Sequence, residues 1–183
     1  MTLATRPLTV TINGKLYGPL DVPEGMMMID VLHEMLGLTG SRLGCGQGVC
    51  HACTVIWDRE DGGSEEVPAC ITGAGFFDGK RIRTIEGIPT RNGKGEILAL
   101  STVQQAFLNH FSFQCGYCTP GFVNAATVLI ERLTRVPVAR SEVEATVAAA
   151  LEKHLCRCTG YVRYYRAVRE VILATPGLTR DGP

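Results

Sequence analysis

Eight cysteines in a chain of 183 residues constrain this protein more than any other feature of its sequence. They form two groups of four, one in each half of the chain: Cys45, Cys50, Cys53 and Cys70, then Cys115, Cys118, Cys156 and Cys158. Thiols grouped in fours predict two structural zinc sites or two iron–sulfur clusters. A disulfide framework is typical of short secreted chains. The first ten residues lack the basic-then-apolar layout of an export signal, so we expect reduced thiols.

The spacing of the first group favours iron over zinc. Cys45, Cys50 and Cys53 give the pattern C-x₄-C-x₂-C, and Cys70 follows at a distance, which is the plant-type [2Fe–2S] spacing. Glycines between these cysteines let the backbone approach a cluster and donate N–H groups to sulfur. We interpret His51, which lies between two of the cysteines, as a loop residue that covers the cluster and not as a ligand, because four thiolates already complete the site.

The second group combines C-x₂-C with C-x-C and is less specific on its own. A C-x₂-C pair is also found in thioredoxin-like proteins beside a βαβ pattern, but the surroundings here are predicted to be helical. Cys115 and Cys118 precede one predicted helix, and Cys156 and Cys158 precede another. Helix N-termini favour negative charge, and a thiolate-ligated cluster is negative. The second group is therefore also compatible with a cluster.

The first half of the chain predicts a small α+β domain. Strands are predicted at residues 9–13 and 16–22 around the hairpin signal Asn13-Gly14, then at 54–57, 66–69 and 82–84. Apolar residues at helical spacing predict a helix over 29–37. Residues 1–86 carry 7 basic and 11 acidic residues, a net charge of −4 that the rest of the chain offsets.

The second half predicts a four-helix bundle. The helices are expected at residues 96–111, 119–134, 141–154 and 161–174. Thr119 with Pro120 is an N-terminal signal for the second helix, and Ser141 with Glu144 is a capping box for the third. Residues 87–95 are rich in glycine, proline and asparagine, which predicts a linker. The expected organisation is thus a domain over 1–86, a linker over 87–95 and a domain over 96–183.

Three segments in this order resemble one family. GCGQGVCHACTV (44–55), QCGYCTPG (114–121) and CRCTGY (156–161) resemble the iron–sulfur subunit of the molybdenum hydroxylases, the xanthine oxidase family. Its bacterial members include aldehyde, carbon monoxide, isoquinoline and nicotinate-type dehydrogenases. The resemblance covers about residues 8–175. It implies a plant-ferredoxin-like β-grasp domain with an outer [2Fe–2S] cluster on the first cysteine group, then a four-helix bundle with an inner cluster on the second.

The resemblance also implies partners. A large subunit would hold a molybdopterin cofactor beside the inner cluster, and Gln114 would contact the pterin. Electrons from the oxidation of an aldehyde or an N-heterocycle would pass through both clusters to an acceptor such as a flavoprotein or a cytochrome c. This chain would supply no catalytic residue. His51 stands where the family usually has glycine, and Tyr164 where an aliphatic residue is common.

Charge and hydropathy restrict the partners and the cellular location that we expect for this protein. The 18 basic and 18 acidic residues balance, which argues against nucleic acid as a partner. No apolar run approaches the roughly 20 residues of a membrane span. We expect a cytoplasmic protein, or a periplasmic one if a signal-bearing partner carries it across the inner membrane. A free two-cluster ferredoxin and a zinc-stabilised interaction module remain the alternative functions.

Overall fold

The computed structural model describes residues 4–181. Five strands of the first half are Thr5–Ile12 (β1), Lys15–Pro23 (β2), Thr54–Asp58 (β3), Ser64–Pro68 (β4) and Arg81–Arg83 (β5). They form one mixed sheet in the order β2-β1-β5-β3-β4, in which only β1 and β5 are parallel neighbours. The predicted hairpin at Asn13-Gly14 joins β1 to β2 and is confirmed.

One short helical segment crosses this sheet. It begins as an α-helix at Met28–Asp30 (α1) and passes directly into a π-helical turn at Val31–Met35. The regular helix predicted over 29–37 is therefore shorter and wider than expected. Its buried side chains pack on apolar residues of β1 and on Phe77, which lies in the 3₁₀ turn Ala74–Phe77. This core holds the cysteine loop of residues 44–53 against one end of the sheet, since Cys53 and Cys70 belong to it.

The segment between the two halves contains a small hairpin rather than the start of a helix. After the 3₁₀ turn Ile85–Gly87, strand Thr90–Arg91 (β6) pairs antiparallel with Ile97–Ala99 (β7). The prediction that a helix begins at residue 96 is wrong. Helix Thr102–Asn109 (α2) starts later because Ser101 and Gln104 form a capping box there.

Three further helices complete the second half: Thr119–Arg135 (α3), Val143–Leu151 (α4) and Val162–Ala174 (α5). Helix α5 packs on α2 and α4, and α3 packs on α4 and α2, around one shared apolar core. The capping box predicted at Ser141 is wrong, because Arg140–Glu142 forms a 3₁₀ turn and no side chain caps α4. A short parallel pair, Val138–Ala139 (β8) and Thr179–Arg180 (β9), joins the end of the described chain to the segment between α3 and α4. None of the helices between residues 4 and 181 is long and apolar enough to span a bilayer.

The two halves pack against each other along α3, which contacts β3 and β4. Asn124 of α3 donates a buried hydrogen bond of 2.7 Å to the carbonyl oxygen of Thr54. At the outer edge, Arg83 forms ion pairs of 2.7 Å with both Asp58 and Glu131. Burial alone would raise the pKa of Glu131, but the hydrogen bonds from Arg83 and Ser64 outweigh it and lower that pKa. Charge and hydrogen bonding thus hold the sheet to the helices.

Candidate metal centres

The first cysteine loop concentrates N–H donors on one sulfur. The backbone N–H groups of Gln47, Val49 and Cys50 donate to Sγ of Cys45 at 3.3–3.4 Å. Gly48 has a φ of 69°, a left-handed conformation that glycine adopts without strain, so glycine suits the path of the loop there. The hydrogen bonds, led by the one from Gln47, lower the pKa of the Cys45 thiol to about 6. The loop is thus built to stabilise charged sulfur.

The other members of the first group reach into the core. Cys53 immediately precedes β3 and Cys70 follows β4 by one residue, and both are buried. Burial raises the pKa of the Cys53 thiol to about 12, although a backbone hydrogen bond at Cys70 opposes the rise. A bound metal reverses that preference, since coordination deprotonates a thiol outright. The group therefore extends from an exposed loop to the edge of the apolar core.

The second group gathers at two helix starts, as predicted. Cys118 directly precedes α3 without capping it through its side chain, and Cys115 lies three residues earlier. Cys156 and Cys158 lie in the turn that precedes α5. The sulfurs of Cys115 and Cys158 are 3.5 Å apart. Sγ of Cys156 accepts the N–H of Thr159 at 3.4 Å and lies 3.1 Å from its hydroxyl. Burial raises the pKa of Cys118 to about 12.

A cavity of about 430 Å³ connects the two groups. Six of the eight cysteines line it: Cys45, Cys50, Cys115, Cys118, Cys156 and Cys158. Tyr117 lines it too, and its hydroxyl donates to the carbonyl oxygen of Leu43 at 2.7 Å, which ties the second group to the loop of the first. The structure therefore brings together cysteines of two groups that lie in different halves of the sequence.

The sulfur positions are compatible with two binuclear clusters. All eight thiols are free, so no disulfide pairs them. In a tetrahedral Cys₄ zinc site, with Zn–S bonds of about 2.3 Å, the sulfurs lie about 3.8 Å from one another. Among the described residues, no three of the cysteine sulfurs lie within 4.8 Å of one another. A [2Fe–2S] cluster needs only two close sulfurs on each iron, and four thiolates are its donor set, so both groups are suited to hold one.

Three other residues that the sequence singles out lie around these sites. Gln114 is exposed directly before Cys115. His51 adopts a left-handed φ of 55° and is half-buried. Tyr164 of α5 is fully buried, and its hydroxyl lies 3.6 Å from Sγ of Cys118 and 2.8 Å from the hydroxyl of Thr119. No sequence signal announces this last contact, because Tyr164 lies 46 residues from Cys118.

Comparison with known proteins matches both halves of the chain. Residues 10–74 match a 2Fe-2S iron-sulfur cluster binding domain, and residues 84–169 match a second [2Fe-2S] binding domain. The chain is 39% identical over 170 residues to the nicotine 6-hydroxylase small subunit of Paenarthrobacter nicotinovorans, covering 93% of this chain and 89% of that one. The chain is an iron–sulfur subunit of the molybdenum hydroxylase family. The resemblance predicted from the three motifs is confirmed.

Other relatives support the same family. The nicotinate dehydrogenase small FeS subunit of Eubacterium barkeri is 33% identical over 165 residues, covering 90% of this chain and 94% of that one. The solved structure of quinoline 2-oxidoreductase from Pseudomonas putida 86 superposes with a TM-score of 0.74 at 32% identity, covering 96% of this chain and 94% of that one. As in its family, this iron–sulfur subunit carries two [2Fe–2S] clusters and transfers electrons within an enzyme complex. The zinc-stabilised module is thereby wrong.

Proposed function

We propose that Cys45, Cys50, Cys53 and Cys70 hold the outer cluster, and that Cys115, Cys118, Cys156 and Cys158 hold the inner one. The observation that carries this assignment is the cavity lined by members of both groups, with N–H donors directed at Cys45 and Cys156. The clusters, when bound, supply one-electron redox chemistry. The residues of this chain hold the irons, donate hydrogen bonds to sulfur and exclude water from the inner sides of both sites.

The electron path we propose runs from a large molybdopterin-binding subunit to the inner site and then to the outer site. Cys115 and Cys158 are exposed, so the inner site opens toward a partner surface. Exposed apolar side chains line this opening, among them Tyr117 and Leu155. We place the large subunit on this surface, with Gln114 against the pterin. A flavoprotein or a cytochrome c would accept the electrons from the outer site.

Nitrogen heterocycles are the substrate class that we favour for the whole enzyme. The relatives that this chain covers almost completely include small subunits named for nicotine and nicotinate, and a solved structure named for quinoline. Aldehyde oxidation is the alternative, since an aldehyde oxidoreductase of Megalodesulfovibrio gigas is 36% identical over 171 residues. The substrate pocket would lie on the large subunit, so this chain contributes electron transfer to either reaction.

The organisation of the chain follows from the same proposal. We assign residues 1–86 to the ferredoxin-like domain, 87–95 to a linker and 96–183 to the inner-cluster domain. Helices α2 to α5 would correspond to the four-helix bundle of the family, as their common core supports. We propose a cytoplasmic complex, with export to the periplasmic face as the alternative if the partner carries a signal.

Electron paramagnetic resonance of the native complex tests the ligand assignment. Two distinct [2Fe–2S] signals are expected on reduction, with about four irons and four sulfides per chain. Cys50→Ser should alter one signal and Cys115→Ser the other, since they belong to different groups. If either substitution removed both signals from a folded chain, the assignment to two groups would be wrong. If an N-heterocycle reduces the clusters, so that both signals appear, and an aldehyde does not, the result would support N-heterocycles as the substrate class.

A further inference from the structure

A second set of metal-binding side chains lies beside the cysteine sites without including a cysteine. One ring nitrogen of His51, one of His154 and one carboxylate oxygen of Glu66 all lie within 4.8 Å of one another. His51 belongs to the first cysteine loop, Glu66 to β4 and His154 to the turn after α4. The set therefore joins the two halves of the chain at the level of both cysteine groups.

The polar atoms of this set are only partly satisfied. Nε2 of His154 lies 2.8 Å from Oε2 of Glu66, within hydrogen-bond distance. Nδ1 of His154 and Nδ1 of His51 are both buried and have no hydrogen-bond partner among the described residues. The His154 side chain is only 2% exposed. An unpaired buried polar atom costs about 1–3 kcal/mol, so a protein group, a water or an ion normally satisfies it. The His154 nitrogen that faces Glu66 is Nε2, so its unpaired Nδ1 lies on the other side of the ring and is not a donor toward the carboxylate.

The close approach of the backbone explains why these side chains meet. A Cβ on Gly121, in the first turn of α3, would lie 2.3 Å from the carbonyl oxygen of His51 and 3.1 Å from Nδ1 of His154. Glycine at this position lets α3 pack directly on both histidines. Their rings are 5.3 Å apart in an edge-to-face arrangement, and Phe122 closes the far side of His154 at 5.2 Å. The histidines are thus held by packing and are not free to rotate away.

We propose that His51, Glu66 and His154 bind one divalent transition-metal ion, with Zn²⁺ as the representative. Two imidazoles and one carboxylate, with water as the fourth ligand, are a donor set that zinc adopts. Zinc bonds of about 2.0–2.1 Å place tetrahedral ligand atoms about 3.3 Å apart, so the separations between donors that lie within 4.8 Å need to change by at most about 1.5 Å. His51 and Glu66 are half-buried, which leaves room for the water.

Such an ion has two consequences for the protein. It cross-links the loop that carries Cys50 and Cys53 to the turn that carries Cys156, so it stabilises the folded chain in proportion to its binding. It also places positive charge between two sites that hold negative clusters. Positive charge favours the reduced, more negative form of a cluster, so the ion raises both reduction potentials.

The test measures zinc in the purified complex of this chain with its large subunit, after incubation with Zn²⁺ and desalting. His51→Gly removes one of the three ligands. The backbone at this position is left-handed, and glycine adopts that conformation without strain. Glu66→Gln keeps the size of the side chain and one hydrogen-bond acceptor but removes the charge. His110→Gln is the matched control. His110 also lies 2.8 Å from a carboxylate, that of Glu170, but the described residues provide it with no third ligand.

The proposal predicts about one more zinc per complex in the wild type and in His110→Gln than in His51→Gly and Glu66→Gln, with iron unchanged. Zn²⁺ should also raise the thermal midpoint of the wild type but not that of Glu66→Gln. Equal zinc content in the wild type and in Glu66→Gln overturns the proposal and leaves an ordinary histidine–glutamate hydrogen bond. If His51→Gly lost iron, the thermal shift of Glu66→Gln, whose side chain is not in the cysteine loop, would decide.

Discussion

The backbone N–H of Leu155 donates a hydrogen bond of 3.1 Å to the carbonyl oxygen of Cys50. Cys50 belongs to the first cysteine group, and Leu155 directly precedes Cys156 of the second. A single hydrogen bond therefore links the main chain of one proposed cluster site to that of the other. Together with the hydrogen bond from the Tyr117 hydroxyl to Leu43, this contact ties the two cysteine-bearing segments to each other.

We predict that Tyr164→Phe lowers the reduction potential of the inner cluster. The Tyr164 hydroxyl lies 3.6 Å from Sγ of Cys118, and an O–H donor to sulfur stabilises the reduced, more negative cluster. The substitution removes only the hydroxyl, so the stacking of the ring on Phe122 is retained. Redox titration monitored by electron paramagnetic resonance measures the shift.

Tyr165→Phe serves as the control for that titration, because Tyr165 is the next residue of α5 and is half-buried. It should leave both potentials unchanged. The loss of one hydrogen bond to Thr119 should cost Tyr164→Phe about 1 kcal/mol of stability. An inner-cluster potential equal to that of the wild type would show that the hydroxyl does not act on the cluster.

We predict that Gln114→Ala slows reduction of the inner cluster by substrate while both clusters remain assembled. Gln114 is exposed beside Cys115, and its amide offers donors and an acceptor to the edge of a heterocycle. Single-turnover stopped-flow measurement of the complex reports the rate, and iron content reports assembly. Gln105→Ala, on the exposed side of α2, is the control that should change neither. An unchanged rate in Gln114→Ala would argue that this residue does not contact the pterin.

We predict that Glu131→Gln lowers the free energy of unfolding by about 1–2 kcal/mol near pH 7. This value lies between the cost of losing an exposed ion pair and the cost of breaking a buried one. The reason is that the carboxylate of Glu131 pairs with Arg83 across the two halves of the chain. The thermal midpoint should fall by several degrees, which loss of the cluster absorbance records. Glu144→Gln, which removes the exposed ion pair with Arg169, should have a smaller effect.

The difference in the free energy of unfolding between the wild type and Glu131→Gln should decrease as the pH falls. The native pKa of Glu131 is lowered, so its contribution is fully present above the pKa of the unfolded chain and is lost as the pH falls through the native value. Wild type and Glu131→Gln should therefore converge in stability at acidic pH. A difference that stayed constant down to the native pKa would mean that the charge of Glu131 is not what stabilises the chain.

We predict that expression without the large subunit causes loss of the inner cluster before the outer one. Cys115 and Cys158 are exposed, whereas Cys53 and Cys70 are buried in the core of the first half. Solvent and oxidants reach the inner site more easily when the partner does not cover it. Timed iron analysis with electron paramagnetic resonance follows the two sites. A monomeric chain that retained both clusters indefinitely would instead favour a free two-cluster ferredoxin.

Much of the fold could be predicted because its signals are local. The Asn13-Gly14 hairpin, the strand after Cys53 and helix α3 with Pro120 in its first turn all follow from neighbouring residues. Residues 97–99 show where this reasoning fails. Their apolar side chains extend the period of α2, yet they form β7, because pairing with β6 and the capping box at Ser101 outweigh the periodicity.

The sequence by itself determined the chemistry of this protein, which is that of grouped thiolates. The spacings C-x₄-C-x₂-C, C-x₂-C and C-x-C each place thiols within one loop, where a short segment of chain controls their geometry. Only the tertiary structure decided which groups become neighbours. The contact of Tyr164 with Cys118, the bond from Leu155 to Cys50 and the set of His51, Glu66 and His154 all join residues far apart in the chain. Such contacts depend on how α3 packs against the sheet and α5. Packing is set by the complementary shapes of whole elements, which no local pattern of residues contains.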